Sequence, residues 1–426
     1  MQLKKYQEEG VQWLMGMTHG LLADEMGLGK SAQAILAASR LGLKEVLVVC
    51  PAIARENWRR ECLKWSAGFE PCVVSYETAT TQLAALSLKH WDLIIADEGH
   101  YLKSPFAQRT QAVYGTLAHH ADRSWTLTGT PAPNHAGELW AMLMTFGGCT
   151  LDYDTFIRKV CYGRHVKEAH GEWVPKGTKD PEAVARMLSP YMLRRTVVEV
   201  MPELPPLDFH DLFVEPTQLP SRIMDTYFSK VPAAKVAEDL KKQIELVQAL
   251  GEATIESAFD HTPTLRRWLG ANKVVPVADL VLEEMDSKAY DKIVIWAYHR
   301  QVIEELHARL GGNMIYGAMT DKRVWQEMDE FNTAKRGIMV AQYTAAGTAV
   351  TFDAREQIFC EYDWNPATNL QAAKRCHRGA AGVAHPVRAR FAIVAGGVDD
   401  VVLAVARRKT RETAAMLANP DLFAFG

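Results

Sequence analysis

Apolar positions along this chain arrive in two forms. Short, nearly continuous β-rich runs recur, and helical patterns of period 3.6 lie between them. In the first half the runs are Val46–Cys50, Val73–Tyr76, Leu93–Asp97 and Ser124–Leu127. In the second they are Ile293–Tyr298, Ile338–Gln342, Gln357–Tyr362 and Phe391–Val394. Each is followed by a small or polar loop. Ser31–Leu41 and Gln301–Leu310 are examples of the intervening helices. Such alternation predicts an α/β fold with parallel sheets, whose ligands sit in loops at the strand C-termini.

The middle of the chain breaks the pattern. Leu151–Met192 is mixed and rich in turn residues. Pro202, Pro205, Pro206, Pro216 and Pro220 then punctuate a linker, and Val231–Phe259 reads as an amphipathic packing helix. The expected division is a first lobe over 1–205 with an insertion near 150–190, a linker and helical insertion over 206–270, and a second lobe over 271–426. No internal repeat and no low-complexity tail is visible.

Bulk properties narrow the class. The 426 residues, 48% hydrophobic and 23% charged, have room for two or three domains that each bury a core. The net charge of −3 supplies no global positive field, so any nucleic-acid contact must come from local basic patches. The seven cysteines form no C-x-x-C pair, which argues against zinc ribbons and disulfide frameworks and fits a reducing cytosol. Lys4 and Lys5 lead into an amphipathic helix rather than a signal peptide, and no apolar run reaches membrane-spanning length. No membrane association is expected.

Chemistry concentrates first at Asp24-Glu25-Met26-Gly27-Leu28-Gly29-Lys30-Ser31. Gly27 and Gly29 let backbone N–H groups approach phosphates, Lys30 supplies a point charge, and Ser31 offers a hydroxyl to Mg²⁺. Asp24 stands where a phosphate loop ordinarily begins with glycine. A glycine-rich strand-to-helix turn is the plain alternative. Leu93–Asp97 then ends in two carboxylates. Asp97 at the strand tip can hold Mg²⁺, and adjacent Glu98 can orient and deprotonate an attacking water. An ordinary acidic turn is the alternative there.

Far downstream, Gln371, Arg375 and Arg378 fall on one face of a helix. Two guanidiniums there suit charge developing on a γ-phosphate, although an isolated basic helix is usually just solvated. Tyr6-Gln7 offers an amide able to read an adenine edge, against the default of a surface glutamine.

The order of these segments resembles the Swi/Snf-type ATPases of helicase superfamily two, over nearly the whole chain. Leu3–Val11 is similar to the family's adenine-contacting motif. Asp24–Ser31 resembles its form of motif I, in which aspartate replaces the first glycine. Val48–Pro51 with Asn57-Trp58 resembles motif Ia, and Ser75-Tyr76-Glu77 motif Ib. Asp97-Glu98-Gly99-His100, followed by Leu102-Lys103, resembles the Asp-Glu-Ala-His box, with Gly99 a small change beside the chemistry. Leu127–Pro131 with Asn134, Glu138 and Leu139 resembles motif III. Met192–Arg195 resembles the brace leading out of the first lobe. Lys292–Tyr298, Thr344–Thr348 and Gln371–Arg378 resemble motifs IV, V and VI. After Arg378 the chain reads Gly379-Ala380-Ala381 where the family continues Ile-Gly-Gln.

The resemblance implies two RecA-like lobes with helical insertions between them, and an enzyme that hydrolyses ATP with Mg²⁺. Tyr6, Gln7, Gly27, Gly29, Lys30, Ser31, Gly347 and Gln371 would bind nucleotide. Ser31 and Asp97 would hold the metal, and Lys30, Asp97, Glu98, Arg375 and Arg378 would act in catalysis, the arginines entering when the second lobe closes. It also implies a monomeric tracker of double-stranded or branched DNA, with Arg55, Asn57, Tyr76, Lys103, Thr344 and Asn365 as DNA-contacting candidates. Trp58 and Trp364 are expected to pack, and Arg407–Arg411 to be a solvated helix face. Three activities stay open: duplex translocation with fork remodelling or annealing, strand separation, and a nucleotide-dependent scaffold for a protein partner. Compactness suggests a bacterial or phage protein acting in the cytoplasm at the nucleoid.

Overall fold

The computed structural model describes residues 3–165, 173–217, 263–343, 350–363, 366–377, 384–394, 399 and 403. The chain separates into two compact units, with the change-over at Glu203/Leu204. The helical reading of Val231–Phe259 and the basic run Arg407–Arg411 lie outside the described residues, as does the Gly379–Ala381 departure.

The first unit is built on a six-stranded sheet. Its strands are β1 (His19–Leu22), β2 (Val46–Cys50), β3 (Cys72–Ser75), β4 (Leu93–Asp97), β5 (Ser124–Leu127) and, after a hairpin of β6 (Cys161–His165) and β7 (Trp173–Thr178), β8 (Met192–Leu193). The order is β3-β2-β4-β5-β1-β8, and every pair in it is parallel. Parallel pairing requires both faces to be covered, which explains the continuous apolar runs. Along β4, Ile94 and Ala96 enter one core cluster with Leu47 and Val49, while Leu93 and Ile95 enter another with Val46 and Val48. Helix α1 (Lys5–Gly16) contributes Val11 and Leu14 to the second cluster, and α2 (Lys30–Arg40) contributes Ala34 and Ile35. Helix α3 (Arg55–Lys64) adds Trp58 and Cys62.

The second unit repeats the plan. Its sheet runs β11 (Asn313–Ile315), β12 (Gly337–Gln342), β10 (Lys292–Ala297), β13 (Glu356–Phe359), β14 (Val387–Ile393) and β9 (Leu207–Phe213), again with parallel pairs. Strand β9 corrects the reading of 206–213 as linker. Leu207–Phe213 pairs with β14 along its whole length, from Leu207↔Val387 to Phe213↔Ile393. Prolines 205 and 206 end just before it. Helices α4 (Pro263–Asp286), α5 (Arg300–Leu310), α6 (Asp321–Thr333) and α7 (Pro366–His377) accompany the sheet. Val274, Val277 and Val281 of α4 pack with Ile293 and Ile295. Trp296 Nε1 donates to Gln357 Oε1 at 2.8 Å, and Gln357 Nε2 donates to the Ala373 carbonyl at 3.0 Å. That relay ties α7 to the sheet.

All seven cysteines are free thiols; six are buried and Cys72 is half-buried. Burial pushes Cys62 up to about 11 and raises Cys50 and Cys360 further. Among the described residues no helix is long and apolar enough to cross a membrane.

Candidate active site

Parallel strands bring the ends of β1, β2, β4, β5 and β8 to one edge of the first sheet, and the predicted phosphate loop and acidic turn are both on that edge. The loop leaves β1 at Leu22 and enters α2 at Lys30. Gly27 and Gly29 take φ of 94° and 78°, the left-handed region in which glycine alone is unstrained. A Cβ at Gly29 would lie 2.5 Å from Gln7 Nε2, the far end of a side chain that would have to shift. Gln7 Nε2 in turn donates to the Leu28 carbonyl at 3.2 Å, and its Oε1 accepts from Lys4 N at 3.0 Å. The amide expected near adenine therefore rests on the loop itself.

Lys30 Nζ donates to the carbonyls of Asp24, at 2.8 Å, and Glu25, at 3.4 Å. Burial lowers its pKa, while the carboxylates of Glu98, Asp24 and Asp97 work the other way. Those interactions put Lys30 and the acidic turn in one electrostatic neighbourhood. Asp97 is raised to about 6, by burial first and by the neighbouring Glu98 charge second. Trp58 opposes that rise, since its indole N–H donates to Asp97 Oδ2 at 2.7 Å. Trp58 does pack, at 1% exposure, but it is also the prop of the carboxylate, a role its spacing did not disclose.

Glu98 adopts φ 53°, a left-handed conformation unusual for a side chain of this kind. His100 Nδ1 stands 3.3 Å from Glu98 Oε2 and 3.4 Å from Thr128 Oγ1. Thr128 Oγ1 also accepts from Thr130 N at 3.1 Å, so the acidic box and the Thr-Gly-Thr loop are linked side chain to side chain. Gly99 is more than a small change. A Cβ there would fall 2.3 Å from Thr126 Cγ2, and Thr126 is held by Tyr114 from the π-helical turn Gln111–Thr116, at 2.9 Å between hydroxyl oxygens.

One DNA candidate is corrected. Tyr76 is 1% exposed, and its hydroxyl donates to the Asp97 carbonyl at 2.6 Å. Its ring stacks on Tyr101 at 5.4 Å between centroids. The side chain is consumed as support for the acidic turn and offers nothing to a phosphate backbone. Arg55 and Asn57 are partly exposed at the start of α3, with Arg55 Nε on the Ala52 carbonyl at 3.1 Å. Lys103 is partly exposed and 3.7 Å from Glu138, whose carboxylate also accepts from Asn134 N and Nδ2 at 2.9 and 2.7 Å.

Tyr6 is buried; its hydroxyl contacts Met201 Sδ at 3.7 Å and the Arg195 guanidinium lies 5.5 Å from its ring centre. Gln371 and Arg375 both lie on α7 in the second unit and are buried, and the Arg375 carbonyl accepts from Phe352 N at 3.0 Å. Thr344, Gly347, Asn365 and Arg378 lie outside the described residues, as does Trp364.

The donor set fits a magnesium nucleotide. Gly27 and Gly29 take the left-handed backbone of a phosphate-binding turn, and the Ser31 hydroxyl and Asp97 carboxylate are the hard oxygen ligands Mg²⁺ prefers. Among the described residues no group of three or more His, Cys, Asp or Glu side chains forms a metal site. A Mg²⁺ that keeps water and phosphate ligands needs none.

Comparison with known proteins extends this picture along the chain. The family profile described as SNF2-related domain matches residues 6–71 and 66–261, and the helicase conserved C-terminal domain matches residues 275–380. The TATA-binding protein-associated factor mot1 of Aspergillus fumigatus is 24% identical over 88% of this chain and 25% of its own length. A SWI/SNF-related regulator of chromatin, subfamily A-like protein 1, from Drosophila melanogaster is 26% identical over 96% of this chain and 55% of its own. The DNA annealing helicase and endonuclease ZRANB3 of Mus musculus is 25% identical over 97% and 41%. The chain thus spans from a quarter to about half of these relatives. A solved Sulfolobus solfataricus SWI2/SNF2 ATPase core in complex with dsDNA aligns over 100% of this chain and 97% of its own, at 21% identity and a TM-score of 0.43. Since the SNF2-related match alone runs over well more than half of the 426 residues, the chain belongs to the SNF2 family and carries its ATPase core.

Proposed function

We propose that this chain hydrolyses ATP under stimulation by DNA and uses the cycle to move along double-stranded DNA, remodelling the DNA or what is bound to it. The observation that carries the reading is the convergence of the glycine cradle, Lys30 and the Asp97-Glu98 turn on one sheet edge. The DNA part is supported by the relative named as a DNA annealing helicase and by the half-exposed Arg55, Asn57 and Lys103 near that same edge. Such contacts go to phosphates and carry no sequence readout.

In this reading the loop N–H groups and Lys30 bind the β- and γ-phosphates. Ser31 and Asp97 hold Mg²⁺, which when bound neutralises charge on the phosphates. Glu98 accepts the proton of the attacking water. His100 lies beside both the Glu98 carboxylate and the Thr128 hydroxyl. Arg375 and Arg378 take the arginine-finger role that the resemblance implies, worth about a thousandfold or more in turnover.

The test is ATP turnover against double-stranded, forked and single-stranded DNA, with RNA as control, over a salt series. Duplex or forked DNA should raise the rate, and the stimulation should fall steeply as salt rises. Turnover indifferent to every nucleic acid would leave hydrolysis standing and remove DNA, in favour of a protein client. Robust unwinding of a plain duplex would replace tracking by strand separation.

A further inference from the structure

We propose that Arg195 positions the phosphate loop for nucleotide, by closing a buried knot with Asp24, Gln33 and the Tyr6 carbonyl that the ATP site requires. The inference rests on the ATP reading above and adds a residue from the segment that leaves the first unit. Asp24 is completely buried. Its Oδ1 accepts from Arg195 Nε at 2.9 Å, and its Oδ2 accepts from Arg195 Nη2 and from Gln33 Nε2, the latter at 3.1 Å. Arg195 Nη2 also donates to Gln33 Oε1 at 2.8 Å, and Nη1 donates to the Tyr6 carbonyl. Gln33 Nε2 reaches on to the Leu28 carbonyl at 3.1 Å. The fork is the two-pronged pairing for which arginine is suited and lysine is not.

Every partner in the knot lies on or beside an element that the ATP reading assigns to nucleotide. Tyr6 adjoins Gln7, Asp24 and Leu28 are loop residues, and Gln33 lies one turn past Lys30. The backbone repeats the message. Leu21 N, Ala23 N and Glu25 N donate in turn to the carbonyls of Tyr191, Leu193 and Arg195, at 2.7, 2.7 and 2.8 Å. Glu25 Oε2 accepts from Val197 N at 2.5 Å. The exit segment is thereby zipped to the loop along its first half. The two carbonyls that hold Lys30 are those of Asp24 and Glu25, the two residues it fixes. Gly10 makes the approach feasible, since a Cβ there would fall 1.8 Å from Gln33 Oε1 and 2.7 Å from Arg195 Nη2.

A fold-stabilising ion pair and a positioning device differ in what survives neutralisation. Asp24→Asn alone leaves the Arg195 charge buried without its counter-ion and will lower Tm. The double variant Asp24→Asn/Arg195→Gln removes both charges and should recover most of that Tm. Gln33→Leu disturbs the knot without exposing any new charge and guards against a double variant that fails to fold. Affinity for a fluorescent ATP analogue, measured well below each Tm, should fall tenfold or more in the double variant and severalfold in Gln33→Leu. Wild-type affinity in folded variants, or affinity that recovers together with Tm, overturns the proposal. A wild-type chain that binds no nucleotide overturns the ATP reading itself, and this inference with it.

Discussion

The indole N–H of Trp58 meets the carboxylate of Asp97 at 2.7 Å, so a buried tryptophan on α3 favours the charged form of the strand-tip acid. Burial and Glu98 drive Asp97 toward its protonated form, and this hydrogen bond resists them. Trp58→Phe removes the donor and keeps most of the ring. The Asp97 pKa should then rise above about 6, and the acid limb of Mg-ATP binding should move to higher pH. Titrating nucleotide affinity between pH 5 and 8 in both proteins checks this; coincident acid limbs would remove Trp58 from the site.

Asp97 itself should cost stability at neutral pH. Its folded pKa of about 6 lies above the ordinary aspartate value, so the folded chain holds this proton more tightly than the unfolded chain. The stabilising contribution of the protonated form is complete below pH ~4 and is lost as pH rises through about 6. Two units correspond to about 3 kcal/mol, and an asparagine would forgo one accepted hydrogen bond, worth about 1 kcal/mol. Nucleotide-free Asp97→Asn should therefore be the more stable protein at pH 8, by about 2 kcal/mol, and lose that advantage near pH 4. Denaturant melts at the two pH values decide it, and a difference independent of pH counts against the shift.

Gly99 and Thr126 should be energetically coupled. Gly99→Ala drives a methyl to within 2.3 Å of Thr126 Cγ2 and should destabilise by about 1–3 kcal/mol. Adding Thr126→Ser removes that methyl and keeps the oxygen that meets Tyr114. Thermal melts of the two singles and the double should show rescue; additive losses would mean the loop relaxes elsewhere.

Lys30→Ala should abolish hydrolysis by weakening nucleotide binding. Glu98→Gln should abolish it with binding intact, because Asp97 and the loop are untouched. Turnover and affinity measured side by side separate the two, and near-wild-type turnover in Glu98→Gln would exclude Glu98 as the base.

Much of this was readable in the chain because parallel strands buried on two faces leave continuous apolar runs. Val46–Cys50 and Leu93–Asp97 have the bounds that pattern predicts. The strand feeding the phosphate loop was not readable. His19-Gly20-Leu21-Leu22 is four residues long, with histidine and glycine leading, too short and too poor in β-branched residues to register. β9 was hidden by flanking prolines and by the half-exposed alternation of an edge strand. At the site, residue types and spacing pointed to Lys30, Ser31, Asp97 and Glu98. Spacing said nothing of the parts played by Trp58, Gly10 and Arg195, which depend on contacts made across 23 to 189 positions of sequence. Tyr76 misled for the reverse reason: a motif position that touches the site from beneath looks the same in sequence as one that faces outward.

The burial of the native thiols hands the experimenter a clean background. With six of seven sulfurs buried, and burial holding the thiols of Cys50, Cys62 and Cys360 above their ordinary range, maleimide dyes will favour a cysteine introduced on an exposed position over any that is already there. One such label on α3 and another on α5 would turn the chain into its own distance gauge, read by energy transfer as nucleotide and DNA are added.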